Sequence, residues 1–197
     1  KSENINLLFV GRVNESRKGL RYALGAYSRL KWQYPKLRLI VVGSGVPDKE
    51  SYRVMGERSL DDVIFLGPMS ESELPSYYQH ADIFLAPNTG KESFGFITIE
   101  SMASSTPVIA ASIPGFQSVI KDGYNGILVE PKNEKSLAIA IKKLIDNPSL
   151  RTSLEINGRL SVEKYSWKKV TNNIIRYFNN VKNIRNNTQK KYKNKVI

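Results

Sequence analysis

Six short apolar runs, most of them closed by a turn residue, constrain this chain more than any other feature. They are Asn6-Leu7-Leu8-Phe9-Val10-Gly11, Leu37-Arg38-Leu39-Ile40-Val41-Val42-Gly43, Val63-Ile64-Phe65-Leu66-Gly67, Ile83-Phe84-Leu85-Ala86, Pro107-Val108-Ile109-Ala110-Ala111 and Gly126-Ile127-Leu128-Val129. Most are almost continuously apolar rather than alternating, the pattern of a strand covered on both faces in a parallel sheet. Helix-compatible segments lie between them, at 19–33, 71–79, 96–104 and 134–145. In the first of these Leu20, Ala23, Leu24, Tyr27 and Leu30 share one face, and Ser70-Glu71-Ser72-Glu73 is a capping-box sequence. This alternation predicts an α/β fold, a Rossmann-like doubly wound parallel sheet without internal repeats. Right-handed crossovers then bring the C-terminal end of every strand to one edge, where ligands bind.

A last helix is expected at 166–183, where Trp167, Val170, Ile174, Phe178 and Val181 form an apolar stripe. The stripe suits packing on the domain's own sheet or on a partner domain. The expected organisation is thus one domain over 1–183 and a basic, disordered tail over 184–197.

Composition narrows the chemistry. The 197 residues include no cysteine, which excludes disulfides and thiolate metal sites, and one histidine, His80. A single histidine near a helix end argues against a histidine-rich metal site or a Ser-His-Asp triad. No apolar run reaches the roughly 18 residues of a membrane span, and no signal-peptide pattern is present. The net charge of +12 is concentrated: from Lys164 onward there are ten Lys/Arg and no Asp/Glu. That stretch reads as a solvated tail or as a contact for an anionic membrane surface. No recognition-helix or aromatic-interleaved motif accompanies the charge, so nucleic acid is not expected.

The chemistry concentrates in Lys91-Glu92-Ser93-Phe94-Gly95-Phe96-Ile97-Thr98-Ile99-Glu100. Two carboxylates eight residues apart bracket a glycine turn at the start of a helix, directly after a buried strand. A helix N-terminus there offers backbone N–H groups to an anion, so Glu92 and Glu100 become candidates for gripping a ligand's hydroxyls. On the same predicted edge, Gly11-Arg12 ends the first strand and Arg17-Lys18-Gly19 opens the first helix. Arg12 and Lys18, around a glycine that permits close approach, can clamp a diphosphate; an isolated pair of this kind would read as surface charge. Gly43-Ser44-Gly45 lacks the third glycine of a dinucleotide signature and reads as a tight turn near the ligand. Leu66-Gly67-Pro68-Met69 reads either as an ordinary strand–helix turn or as a loop that can offer main-chain groups to a nucleobase edge, with Met69 packing on the ring. Together these features point to a nucleotide-sugar.

Taken in order, the Gly11-Arg12…Arg17-Lys18-Gly19 loop, Ala86-Pro87 and Glu92-Ser93-Phe94-Gly95…Glu100 resemble the C-terminal, donor-binding half of family-4 retaining glycosyltransferases of the GT-B fold. Ser101 to Ala110 and Ile120 to Val129 agree with the same family, and the resemblance covers roughly residues 5–180. The Arg-Lys-Gly loop and Glu-Ser-Phe-Gly motif look most like mannosyltransferases of the phosphatidylinositol mannosyltransferase type. Ser104-Ser105 departs from the family's usual Ala-Gly or Cys-Gly pair but keeps small residues there.

The resemblance implies roles for individual residues. Arg12 and Lys18 would neutralise the donor diphosphate, and Glu92 would hold hydroxyls of the transferred sugar. Phe94, Gly95, Phe96 and Ile97 would offer backbone amides, and Glu100 would accept from the ribose hydroxyls. It also implies front-face displacement, without a metal bound by carboxylates in this half and without a tightly bound cofactor. The donor would be GDP-mannose first and a UDP-sugar second, and the acceptor a lipid or a glycan. The chain opens directly into a strand, so a preceding N-terminal acceptor domain is expected in the same enzyme. A cytoplasmic location at the inner face of the membrane fits the basic tail. Two other readings are a nucleotide-sugar 2-epimerase, disfavoured by the lone His80, and a non-catalytic nucleotide-sugar-binding module.

Overall fold

The computed structural model describes residues 4–193, with side chains through residue 185. The chain divides after Ser161 into two compact units, 1–161 and 162–197.

The first unit is built on six strands: β1 (Ile5–Val10), β2 (Leu37–Val42), β3 (Ile64–Gly67), β4 (Ile83–Ala86), β5 (Val108–Ala111) and β6 (Ile127–Val129). Their spatial order is β3-β2-β1-β4-β5-β6, with every neighbouring pair parallel. The order reverses between β1 and β4, and such a switch point opens a crevice at the C-terminal edge. The apolar runs explain the sheet. All residues of β4 and β5 are buried, and each fully buried large side chain contributes roughly 1.5–3 kcal/mol. At the sheet edge β3 departs from the expected two-sided cover, with Ile64, Phe65 and Leu66 37–38% exposed. An edge strand has a neighbour on one side only, and here its faces are also incompletely covered.

The helices α1 (Leu20–Leu30), α2 (Lys49–Glu57), α3 (Leu74–His80), α4 (Phe96–Ala103), α5 (Pro114–Gln117), α6 (Glu134–Asp146) and α7 (Pro148–Val162) alternate with or follow the strands. The capping box forms: Ser70 N donates to Glu73 Oε2 at 3.0 Å and Glu73 N to Ser70 Oγ at 3.3 Å. Helix α3 itself nevertheless starts at Leu74, later than the box suggested, because residues 71–73 complete a turn first. Asn133 caps α6 through Lys135 N and Ser136 N. Helices α2, α5 and α7 were not expected from the sequence. His80 Nδ1 lies 2.7 Å from Ser76 O within its own helix, a structural contact.

In the second unit a 3-10 turn at Glu163–Tyr165 leads into α8 (Trp167–Lys193). Trp167 is 84% exposed and Phe178 64%, and among the described residues of this unit none covers their stripe. Helix α8 runs ten residues past the expected end at Asn183, since no Gly or Pro follows to stop it. The last part of the expected tail, 194–197, lies outside the described residues.

Candidate donor site at the C-terminal edge of the sheet

Two loops interlock where the strand order reverses. Gly19, at φ +78°, begins α1, and a Cβ added there would lie 2.0 Å from Pro87 O. Only glycine permits this approach of the β1–α1 loop to the β4–α4 loop. Thr89 N donates to Arg17 O at 2.8 Å, which ties the loops together. Gly43 serves the neighbouring position: a Cβ there would lie 1.8 Å from Gly11 O, and its N–H donates to Gly67 O at 2.8 Å.

This closure brings Lys18 to Glu92. Lys18 Nζ donates to Glu92 Oε2 at 2.9 Å, and Asn88 Nδ2 donates to the same oxygen at 2.8 Å. The Arg17 guanidinium stands 3.8 Å from that oxygen and donates to Lys91 O at 3.3 Å. A Cβ on Gly11 would touch Lys18 Cγ at 3.5 Å, so the lysine stem runs over the end of β1. Asn88 is 1% exposed: its Nδ2 serves the carboxylate, while its Oδ1 finds no hydrogen-bond partner among the described residues, an unmet buried acceptor that costs stability.

Arg12 takes a different position. Its side chain is 69% exposed and lies 2.5 Å from Glu15 Oε1, while Arg17 reaches Glu15 Oε2 at 2.6 Å. The Arg12 hydrogen bond, aided by the nearby charges of Arg17 and Lys18, outweighs burial and holds the Glu15 carboxyl below its usual range. The structure therefore joins Lys18 to Glu92 but leaves Arg12 on a neighbouring carboxylate.

Helix α4 begins at Gly95, φ +85°, with no side chain capping it. Its first N–H groups, including those of Phe96 and Ile97, have no acceptor within the helix and face the loop end. The loop is backed by α5. A Cβ on Gly115 would lie 2.1 Å from Glu92 O, and one on Gly95 would lie 2.6 Å from Phe116 Cδ1. Ser93 and Phe96 are exposed, and the Phe94 and Phe96 rings meet edge to face at 5.2 Å.

Glu100 stands further along α4, where Tyr78 Oη donates to its Oε2 at 3.0 Å. A cavity of about 590 Å³ opens there between α3 and α4, lined by Leu74, Pro75, Tyr78, Glu100, Ala103 and Ser104. Gly67 and Met69 precede this wall without lining it. A second, open cavity of about 510 Å³ is lined by Asn14, Glu15, Arg17, Thr89 and Lys91. Sequence reasoning missed Asn88, Glu15, Tyr78 and Gly115. Asn88 carried one signal, a polar residue four positions before Glu92 at the end of a buried strand. Among the described residues no group of three His, Asp or Glu is placed to hold a metal ion.

The family model for glycosyl transferases group 1 matches residues 1–161. The chain belongs to that family. Among its relatives, the phosphatidyl-myo-inositol mannosyltransferase of Mycobacterium leprae is 34% identical over 175 residues, covering 89% of this chain and 46% of the relative. This group 1 chain thus spans about half the length of the curated relatives it matches. The C-terminal domain of a group 1 glycosyl transferase from Francisella tularensis matches with a TM-score of 0.74 and 31% identity, covering 83% of this chain and 87% of that one. Anabaena HepE, solved with UDP and glucose, matches with a TM-score of 0.80 and 22% identity over 89% of this chain and 48% of that one. The fold is that of GT-B glycosyltransferases, an α/β sheet of six parallel strands with flanking helices.

Proposed function

We propose that this chain is the donor-binding half of a retaining hexosyltransferase, which moves a sugar from a nucleotide-sugar to a lipid or glycan acceptor. The donor in this reading is GDP-mannose first and a UDP-sugar second, and an N-terminal domain of the same enzyme binds the acceptor. The observation that carries the reading is the meeting of Lys18 with Glu92 at 2.9 Å, beside a helix start that no side chain caps. One cation, one hydroxyl-accepting carboxylate and the free N–H groups of a helix start then belong to one pair of loops at the sheet edge. The mannosyltransferase relatives support the choice of sugar, and the UDP seen in Anabaena HepE supports nucleotide binding by this fold.

The chemistry follows from charge. As the glycosidic bond breaks, negative charge builds on the departing diphosphate. Lys18, the α4 N–H groups and the exposed Arg12, once it leaves its partner Glu15, would stabilise that charge, each well-placed donor by about 2–4 kcal/mol. Glu92, already aligned by Asn88 and Lys18, would accept hydrogen bonds from the sugar. Glu100, on the wall of the 590 Å³ cavity, would accept from the ribose. In a front-face displacement the phosphate itself takes the acceptor's proton, and neither glutamate need act as nucleophile.

No described helix is long and apolar enough to cross a membrane. The reading places the enzyme in the cytoplasm at the inner membrane face, with the basic stretch from Lys164 onward meeting anionic lipid. A thermal-shift panel of GDP-, UDP- and ADP-sugars on the purified chain tests the donor assignment, because stabilisation grows with ligand concentration over dissociation constant. GDP-mannose should give the largest shift; a larger shift from a UDP- or ADP-sugar would replace it.

A further inference from the structure

We propose that Tyr78 is a positioning residue that fixes the Glu100 carboxylate through the 3.0 Å bond from its hydroxyl and thereby sets ribose selectivity in the adjoining cavity. The inference rests on the donor-site reading above.

Tyr78 is a rigid support. It is 1% exposed, its ring meets Phe84 edge to face at 5.2 Å, and its backbone carbonyl accepts from Thr106 Oγ1 at 2.5 Å. Phe84 belongs to the fully buried β4, so the phenol is anchored to the sheet itself. Glu100, in contrast, is exposed in the middle of α4, where an unsupported glutamate would sample several rotamers. One donated hydrogen bond to Oε2 selects among those rotamers and leaves Oε1 to accept from a ligand.

The direction of that bond is fixed by chemistry. A carboxylate can only accept, so the phenol must donate. Burial, and then the neighbouring Glu100 charge, raise the phenol's pKa well above its ordinary value, so it keeps its proton across the working pH range. The carboxylate is thus aligned before any ligand arrives, and little rotamer entropy remains to be lost on binding. A fixed acceptor favours a sugar that offers hydroxyl donors over one that lacks them. Ribose at a nucleoside diphosphate has two neighbouring hydroxyls, and 2′-deoxyribose has one.

The test measures binding of GDP and UDP, and of their 2′-deoxy counterparts, to the 197-residue chain by calorimetry. Wild type should prefer the ribonucleotide by about tenfold, the scale of one hydrogen bond to a charged group. Tyr78→Phe should bring that ratio close to one, Glu100→Gln should do the same, and the double variant should go no further. Tyr78→Met, which fills the same slot without a hydroxyl, serves if Tyr78→Phe does not fold. Retention of the preference in the folded Tyr78 variants, with its loss in Glu100→Gln, overturns the role of Tyr78. Equal binding of both sugars by wild type also overturns it. A wild-type chain that binds no nucleoside diphosphate at millimolar concentration overturns the donor-site reading itself, and the inference with it.

Discussion

Lys18 and Glu92 are 74 residues apart in the chain, yet their charged atoms meet at 2.9 Å. The meeting depends on Gly19, whose missing Cβ lets the two loops close. An ammonium and a carboxylate so paired hold each other in place before a ligand binds. In the active enzyme Lys18→Ala should lower turnover by roughly 100-fold, the scale of one lost oxyanion-type donor. Steady-state rates of the variant check this, and near-normal turnover would remove Lys18 from the proposed role.

The two glutamates should separate in binding measurements. Glu92→Gln should leave affinity for the bare nucleoside diphosphate within about threefold while erasing the additional affinity that the attached sugar gives. Glu100→Gln should weaken both ligands by about tenfold, as expected for a lost hydrogen bond to a charged group. Paired titrations of a nucleoside diphosphate and its sugar conjugate decide the matter. Equal losses from the two variants would contradict the division of labour.

Much of this architecture was legible in the sequence. The strands stood out because β4 and β5 are buried at every residue and β1 and β2 over half or more of their length, which favours near-continuous apolar runs. Helix α2 was not legible: it is short and mostly polar, and its start follows a Gly-Val-Pro that reads as a turn. Its one local signal was Asp48, whose side chain caps it through Ser51 N. Helix α7 was hidden in the same way behind Asn147-Pro148, although Asn147 Oδ1 accepts from Leu150 N at 3.0 Å. The glutamate motif and Lys18 were legible because their types and order are chemically distinctive. Asn88 and Gly115 were not, since each acquires its role only when another loop arrives against it. The placement of Arg12 on Glu15 likewise follows from three-dimensional proximity around one short turn.

Glycine substitutions should rank by what lies beside each position. Gly19→Ala meets both a positive φ and the Pro87 carbonyl, a backbone collision that should cost at least about 2 kcal/mol. Gly67, at φ +75°, has nothing within 4 Å of an added Cβ. Gly67→Ala should therefore cost only the left-handed strain, about 1–2 kcal/mol. Urea midpoints of the two variants test the order, and an equal or milder effect at Gly19 would argue against the loop contact.

A second ion-pair cluster gives a pH signature away from the site. Glu134 Oε1 lies 2.7 Å from Arg29 and 2.9 Å from Arg58. Although burial pushes its pKa up, hydrogen bonds from Arg58 and then Arg29 hold it below the usual range. A lowered folded-state pKa means stability that is present above the unfolded value, about 4.3, and lost as pH falls through the folded one. Glu134→Gln should be less stable than wild type at pH 7, and the difference should shrink as pH drops below about 4. Thermal melts across that range check the sign; a gap that widens on acidification would contradict it.

The central claim is that Lys18, Glu92 and the start of α4 form a nucleotide-sugar donor site. Calorimetry of GDP and UDP against the wild-type chain and Lys18→Ala tests it most directly. The account predicts that wild type binds at least one of the two and that Lys18→Ala weakens this binding by about tenfold or more, through loss of a charge-assisted contact to the diphosphate. Absence of binding to wild type at millimolar concentration, or equal affinity in the two proteins, would contradict it.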